Sequence, residues 1–190
     1  MTNLQIIIKG CIRNDSKCQQ ALYDKYYDYA FKIAFRYVYQ YKRIADVVNG
    51  GFVKLFTNNN SFLKTGENDT EQHLQITIKR IIIHAALDEL RGNKFMPYVG
   101  SYPEAIWEES INNNSNNAAT MMQYKQLICY VKSLPPIYSV VYNMYIIDGF
   151  LHKEIASQLG ITTTASQSYL DKAKVYLEKL IRKEMVYSTI

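Results

Sequence analysis

SLPPIYSVVYNMYIIDGFLHKEIASQLGITTTASQSYLDKAK, residues 133–174, decides the fold. Pro135 and Pro136 stand where a helix prefers proline, at its start, and that helix should run to Ile147. Asp148-Gly149 is a turn pair. LHKEIASQL then reads as a short helix stopped by Gly160. Thr162 can cap the longer helix that follows. Helix, glycine turn and longer helix form the helix-turn-helix pattern. On the last helix Tyr169, Ala173, Leu177 and Leu180 share an inward stripe, while Thr164, Gln167, Ser168, Asp171 and Lys174 face out. The first residues of such a helix enter the major groove of DNA. Glutamine pairs with adenine there, and serine and threonine pair with several bases. The outward face is poor in positive charge, and Asp171 repels phosphates.

Just upstream, a further helix is expected over about 122–132. Before it, FMPYVGSYPEAIWEESINNNSNNAATM, residues 95–121, breaks all periodicity with two prolines, a glycine and an asparagine run. It reads as a linker over 96–121, dividing an N-terminal block, 1–95, from a C-terminal block, 122–190. Both blocks read as helical, so the chain is expected to be all-α, with two small domains.

In the first block, SKCQ offers Ser16 as N-cap with Gln19 three residues on, a capping box. Leu22, Tyr26, Ile33 and Tyr37 then recur at helical spacing to about Tyr41. A second helix spans about 43–57, and a third runs from near Thr70 to Gly92. The second contains VVNGGFVKLF, residues 47–56, with two interior glycines that cost about 1 kcal/mol each against alanine. At 100° per residue, Ile44, Val47, Val48, Gly51, Phe52 and Leu55 share the apolar face. Asp46, Asn49, Gly50 and Val53 fall opposite. Gly51 therefore admits a close neighbouring helix. Gly50 and Val53 leave a bare, partly apolar outer face suited to docking another helix, although a tolerated glycine would look the same. On the third helix Leu74, Ile78, Ile81, Ile82 and Ala85 point inward. Thr77, Arg80, His84 and Arg91 line an outer stripe with Asp88 at its edge. Arginine, histidine and threonine on one stripe suit phosphate and base contacts, as they also suit a solvated helix face.

The composition fits a protein with small helical cores. Of 190 residues, 48% are hydrophobic, enough for real cores. Seventeen tyrosines and seven phenylalanines stand against one tryptophan, so the cores are aromatic-rich. No apolar run approaches the roughly 20 residues of a membrane helix, and LQIII is too short for a signal peptide. A cytoplasmic protein without membrane insertion is expected. Cys11, Cys18 and Cys129 make no disulfide framework, and His73, His84 and His152 have no metal-ligand spacing. No cofactor or metal is expected. The net charge of +5 is uneven. Residues 1–97 carry 14 bases and 9 acids, and 123–190 carry 8 and 5, while 98–122 hold only Glu104, Glu108 and Glu109. No nucleophile–base pair, phosphate-cradling glycine loop or paired carboxylates support an enzyme.

These stretches together resemble the extracytoplasmic-function group of bacterial sigma factors, in the sigma-70 superfamily, in the style common in Bacteroidetes. IIKGCIRND with QALYDKYYDYAFKIAFRYV resembles the group's opening helix, and ADVVNGGFVKLF its polymerase-docking helix. IKRIIIHAALDELRGNK resembles its minus-ten helix, and residues 133–174 its domain for the minus-thirty-five element. The resemblance covers nearly the whole chain, four stretches in order across two domains. It implies a region 2 domain, a linker and a region 4 helix-turn-helix domain. The implied partners are core RNA polymerase (the clamp coiled coil of its large subunit and its flap region), promoter DNA, and an anti-sigma factor or a DNA-targeting recruiter. By the resemblance Asp46, Asn49, Gly50 and Val53 face polymerase. Thr77, Arg80, His84 and Arg91 serve the minus-ten side, with Asn58, Asn59 and Asn60 in the loop that captures a flipped base. Thr163, Thr164, Gln167, Ser168, Lys172 and Lys174 serve the minus-thirty-five side. The linker threads the polymerase cleft toward the RNA exit, with Trp107 either a contact there or a local packing residue.

The sequence also departs from the group. An acid usual at Gly50 is missing. The recognition helix reads ASQSYLDKAK where TxKSRLxRAR is common, so Gln167, Tyr169 and Asp171 replace cations or neutral positions. Ser139 replaces an arginine. Such losses weaken promoter binding by about 1–3 kcal/mol in sum. The sequence therefore leads to a promoter-directing sigma factor, not an enzyme. Its alternative is a sigma-like adaptor that docks on polymerase, reads DNA weakly and is placed by a partner. A polymerase-independent helix-turn-helix regulator fits the two-domain layout less well.

Overall fold

The computed structural model describes residues 3–57, 71–92 and 118–187. All regular elements among them are helical, and they form two compact units. The first holds α1 (Asn3–Ile12), α2 (Ser16–Tyr37), α3 (Tyr41–Thr57) and α4 (Glu71–Gly92). The second holds α5 (Ala118–Ser133), α6 (Pro136–Tyr142), α7 (His152–Leu159) and α8 (Thr163–Tyr187).

In the first unit α2, α3 and α4 pack on one another in every pairing, and α1 lies against α2. Leu22, Ala30 and Ile33 of α2, Ile44, Val48 and Leu55 of α3, and Ile78, Ile82, Ile83 and Leu87 of α4 are buried. The seam between α2 and α3 is aromatic, with Tyr23 edge-on to Phe52 at 4.9 Å and Phe31 edge-on to Tyr41 at 6.1 Å. Arg43 of α3 donates two hydrogen bonds to Glu89 of α4, at 2.9 and 3.0 Å. Such exposed pairs contribute well under about 1 kcal/mol each, so burial carries the fold.

Three boundaries differ from expectation. Asp15, not Ser16, caps α2: its carboxylate accepts from Lys17 N at 2.8 Å and Cys18 N at 3.3 Å. The carboxylate one residue earlier outcompetes the serine for the same unpaired helix N–H groups. The helix then ends at Tyr37, because Val38 takes an extended conformation, and α3 starts at Tyr41. The apolar run LQIII, read only as too short for a signal, opens α1, whose Ile8 and Cys11 are buried.

In the second unit the helix expected to reach Ile147 is α6 to Tyr142, then a wider π turn over Asn143–Ile147. Phe150 N–H bonds back to Met144 O at 2.9 Å, with Gly149 at φ +76°. Gly160 ends α7 in the left-handed region at φ +67°, as its place before Thr162 implied. The side chain of Glu154 closes the start of α7 by accepting from Leu151 N at 2.8 Å. Thr162 caps α8: its hydroxyl accepts from Ala165 N at 3.0 Å. Val131 and Leu134 pack with Ala173 and Leu177, flanked by Tyr130, Tyr138 and Tyr142. Tyr169 is only partly buried, against Tyr138 at 5.5 Å, and Leu180 is partly buried too. The first helix of this unit starts at Ala118, inside the stretch read as linker, rather than near 122. No described helix is long and apolar enough to cross a membrane.

Candidate nucleic-acid and partner-docking faces

The helix-turn-helix of the second unit is built from α7, the turn at Gly160 and α8. α8 packs on both α6 and α7, which fixes which of its faces stays open. Leu170 and Ala173 are buried, and Ser166 is wholly buried. Thr163, Thr164, Gln167, Asp171, Lys172 and Lys174 are exposed, and Ser168 is partly so. The recognition residues expected on α8 thus share its open side. Sequence reading missed what locks that helix in place. Nδ1 of His152, the first residue of α7, lies 2.9 Å from the Ser166 hydroxyl, and its ring stacks on Tyr145 at 4.2 Å. A buried serine needs such a partner. Its only trace in the sequence is a serine on the inward stripe of an otherwise apolar packing face.

On the first unit Arg80, His84 and Arg91 of α4 are exposed, as expected. Thr77 is not. It is 6% exposed and its hydroxyl donates to His73 O at 3.0 Å. Threonine can spend its hydroxyl on the carbonyl four residues back, so it sits on a buried face that the helical wheel assigned to the surface. α3 adds a cation the sequence reading left out. Lys54 Nζ lies 3.1 Å from Asp88 Oδ2, and Arg91 Nη1 lies 2.7 Å from Asp88 Oδ1. Lys54 of α3 and Arg91 of α4 therefore flank one carboxylate, and with Arg80 they form a mixed-helix basic patch beside His84. Desolvation is the largest influence on His84 and lowers its pKa. Asp88 opposes this, while Arg91, Lys54 and Arg80 add to it. The net effect favours the neutral imidazole of His84.

Across α3 from its buried stripe, Asp46, Asn49 and Gly50 are exposed and Val53 is 58% exposed. A Cβ added at Gly50 would meet nothing within 4 Å, so the backbone is open there. A Cβ at Gly51 would run into the Ile82 side chain of α4. The two glycines divide as the wheel implied, one serving packing and the other leaving the outer face bare. Asn58, Asn59, Asn60 and Trp107 lie outside the described residues.

Residues 124–177, which span α6, α7, the turn and the recognition stretch of α8, match the family model Sigma-70, region 4. Over that stretch the C-terminal unit is similar to sigma-70 region 4. Among solved structures the chain is similar to the one described as the structure of CnrH in complex with the cytosolic domain of CnrY. Identity is 14%, covering 94% of this chain and 97% of that chain, with a TM-score of 0.48. No curated protein matches the sequence.

Proposed function

We propose that this chain is a sigma factor of the extracytoplasmic-function type. It binds core RNA polymerase in the cytoplasm and directs promoter-specific initiation, without being an enzyme itself. The region 4 match over 124–177 carries this reading, joined in the same chain to a second helical unit with its own basic patch and bare helix face. In this reading 1–95 is the region 2 domain, 96–121 the linker and 122–190 the region 4 domain. Asp46, Asn49, Gly50 and Val53 meet the clamp coiled coil of the large subunit, and region 4 meets the flap. Arg80, His84 and Arg91, with Lys54, take the minus-ten side, and Asn58, Asn59 and Asn60 belong with them. Thr77, buried, acts there as a packing residue. Thr163, Thr164, Gln167, Ser168, Lys172 and Lys174 read the minus-thirty-five element. The partners beyond polymerase and promoter DNA are an anti-sigma factor or a DNA-targeting recruiter, as the sequence resemblance implies.

A second reading rests on one observation. The open side of α8 carries Asp171 beside Lys172 and Lys174, so its net charge is low. An adaptor that docks on polymerase but is placed on DNA by a recruiter would tolerate that. Titration of the labelled chain with core polymerase, then of the complex with promoter duplexes, separates these. A sigma factor saturates core polymerase and discriminates among duplexes. An adaptor does the first only, and failure at the first step removes both.

A further inference from the structure

Asn49 makes one hydrogen bond within the chain that limits what it can offer a partner. Its Oδ1 accepts from the Tyr23 hydroxyl at 2.8 Å, across from α2 to α3. The Tyr23 ring is held from both helices, edge-on to Phe52 at 4.9 Å and tilted against Tyr27 at 5.2 Å. Its hydroxyl therefore reaches Asn49 from a fixed direction. Burial first, and Asp24 second, raise the Tyr23 pKa, so the hydroxyl keeps its proton and donates. A side-chain amide has one carbonyl acceptor and two N–H donors. With the carbonyl held toward Tyr23, the N–H donors of exposed Asn49 are the end of the amide turned away from α2.

The neighbours on that face make the direction matter. Gly50 leaves open backbone, Val53 is apolar and exposed, and Asp46 is the acid of the face. The nearest base to Asp46, Arg43, lies 3.9 Å away and is already engaged by Glu89. The face thus runs from acceptor to donor to bare backbone to apolar.

We propose that Tyr23 is a positioning residue of the docking face: it holds Asn49 as a donor, so the partner group at that point is an acceptor, a carboxylate or a main-chain carbonyl. This rests on the reading that the Asp46–Val53 face docks on polymerase. Tyr23 belongs to α2, where the sequence reading named only the stripe Leu22, Tyr26, Ile33 and Tyr37.

Tyr23→Phe tests it, because phenylalanine keeps the ring and its contacts and removes only the hydroxyl. Binding of the full chain to core polymerase should weaken about fivefold, the worth of one lost hydrogen bond. Tyr23→Phe added to Asn49→Ala should cost nothing further, a coupling that a general structural role would not produce. Asn49→Asp keeps an acceptor for Tyr23 but offers the partner no donor, so it should bind more weakly than Asn49→Ala. Thermal unfolding of Tyr23→Phe should match the unaltered chain. The proposal falls if Tyr23→Phe binds as the unaltered chain does, or loses the same factor in both backgrounds. It falls equally if Asn49→Asp binds as tightly as asparagine. If the unaltered chain fails to bind core polymerase, the docking reading goes, and this inference goes with it.

Discussion

Gly50 and Gly51 are neighbours with opposite roles. Gly50 sits in open space on an exposed helix interior, so Gly50→Ala should raise stability by about 1 kcal/mol through helix propensity alone. At Gly51 the added methyl meets Ile82, a side chain that is 1% exposed. The methyl meets the far end of that side chain, which must turn aside, so Gly51→Ala should gain clearly less stability in urea than Gly50→Ala. Urea unfolding of the two variants side by side checks the assignment; equal shifts of one sign would refute it. Cys11 has a pH signature. Burial, aided by Cys18 and Asp15, pushes its thiol from 9.0 up to about 11. The folded chain thus prefers the protonated thiol. That preference stabilises fully below about pH 9 and is lost as pH rises toward about 11. It is worth about 2 kcal/mol at this burial. The stability gap between the unaltered chain and Cys11→Ala should therefore shrink over that window, as denaturant titrations at each pH would show.

At the scale of elements, the helix-turn-helix was legible because its punctuation is local. Gly149, Gly160 and Thr162 each do at the backbone what their residue type allows. Thr162→Ala should cost about 1 kcal/mol by removing the α8 cap, measured by thermal unfolding of the full chain. What was not legible depends on tertiary packing. α1 is only ten residues long and is held by Ile8 and Cys11 against α2, not by propensity. The π turn after Tyr142 follows from fitting Met144 into the core while α7 turns away, which no spacing rule signals. Thr77 was misplaced because a wheel sees polarity but not a hydroxyl already spent on His73 O. The outward residues of α8 were legible because an apolar stripe at helical spacing defines its opposite side. Their binding energetics also belong to this scale. Asp171→Asn removes one repulsion from phosphates, so affinity for duplex DNA should rise about threefold at low salt. The gain should fade as salt screens the patch, and anisotropy across a salt series reads both effects.

For the whole molecule, the charge distribution and the two units point the same way. Bases gather in 1–97 and 123–190, the segments that hold the two helical units, and the acids Glu104, Glu108 and Glu109 lie between them. On the proposed function, two units in one chain read two boxes at a set spacing, which a single helix-turn-helix cannot do. The division into two helical units was visible in the sequence from the proline, glycine and asparagine break before α5. The two proposed faces were only half visible: Asp46, Asn49, Gly50 and Val53 lie on one helix and follow from a wheel. Lys54 beside Asp88 and Tyr23 beside Asn49 join residues 34 and 26 positions apart, and only the packed bundle brings them together.

Run-off transcription from a random-sequence promoter library, with core polymerase with and without the chain, tests the central claim most directly. The account predicts that the chain enriches two spaced boxes, with Arg80→Ala blurring the one nearer the start site and Gln167→Ala the one farther upstream. Transcripts with no selected sequence, or no dependence on the chain at all, would contradict it.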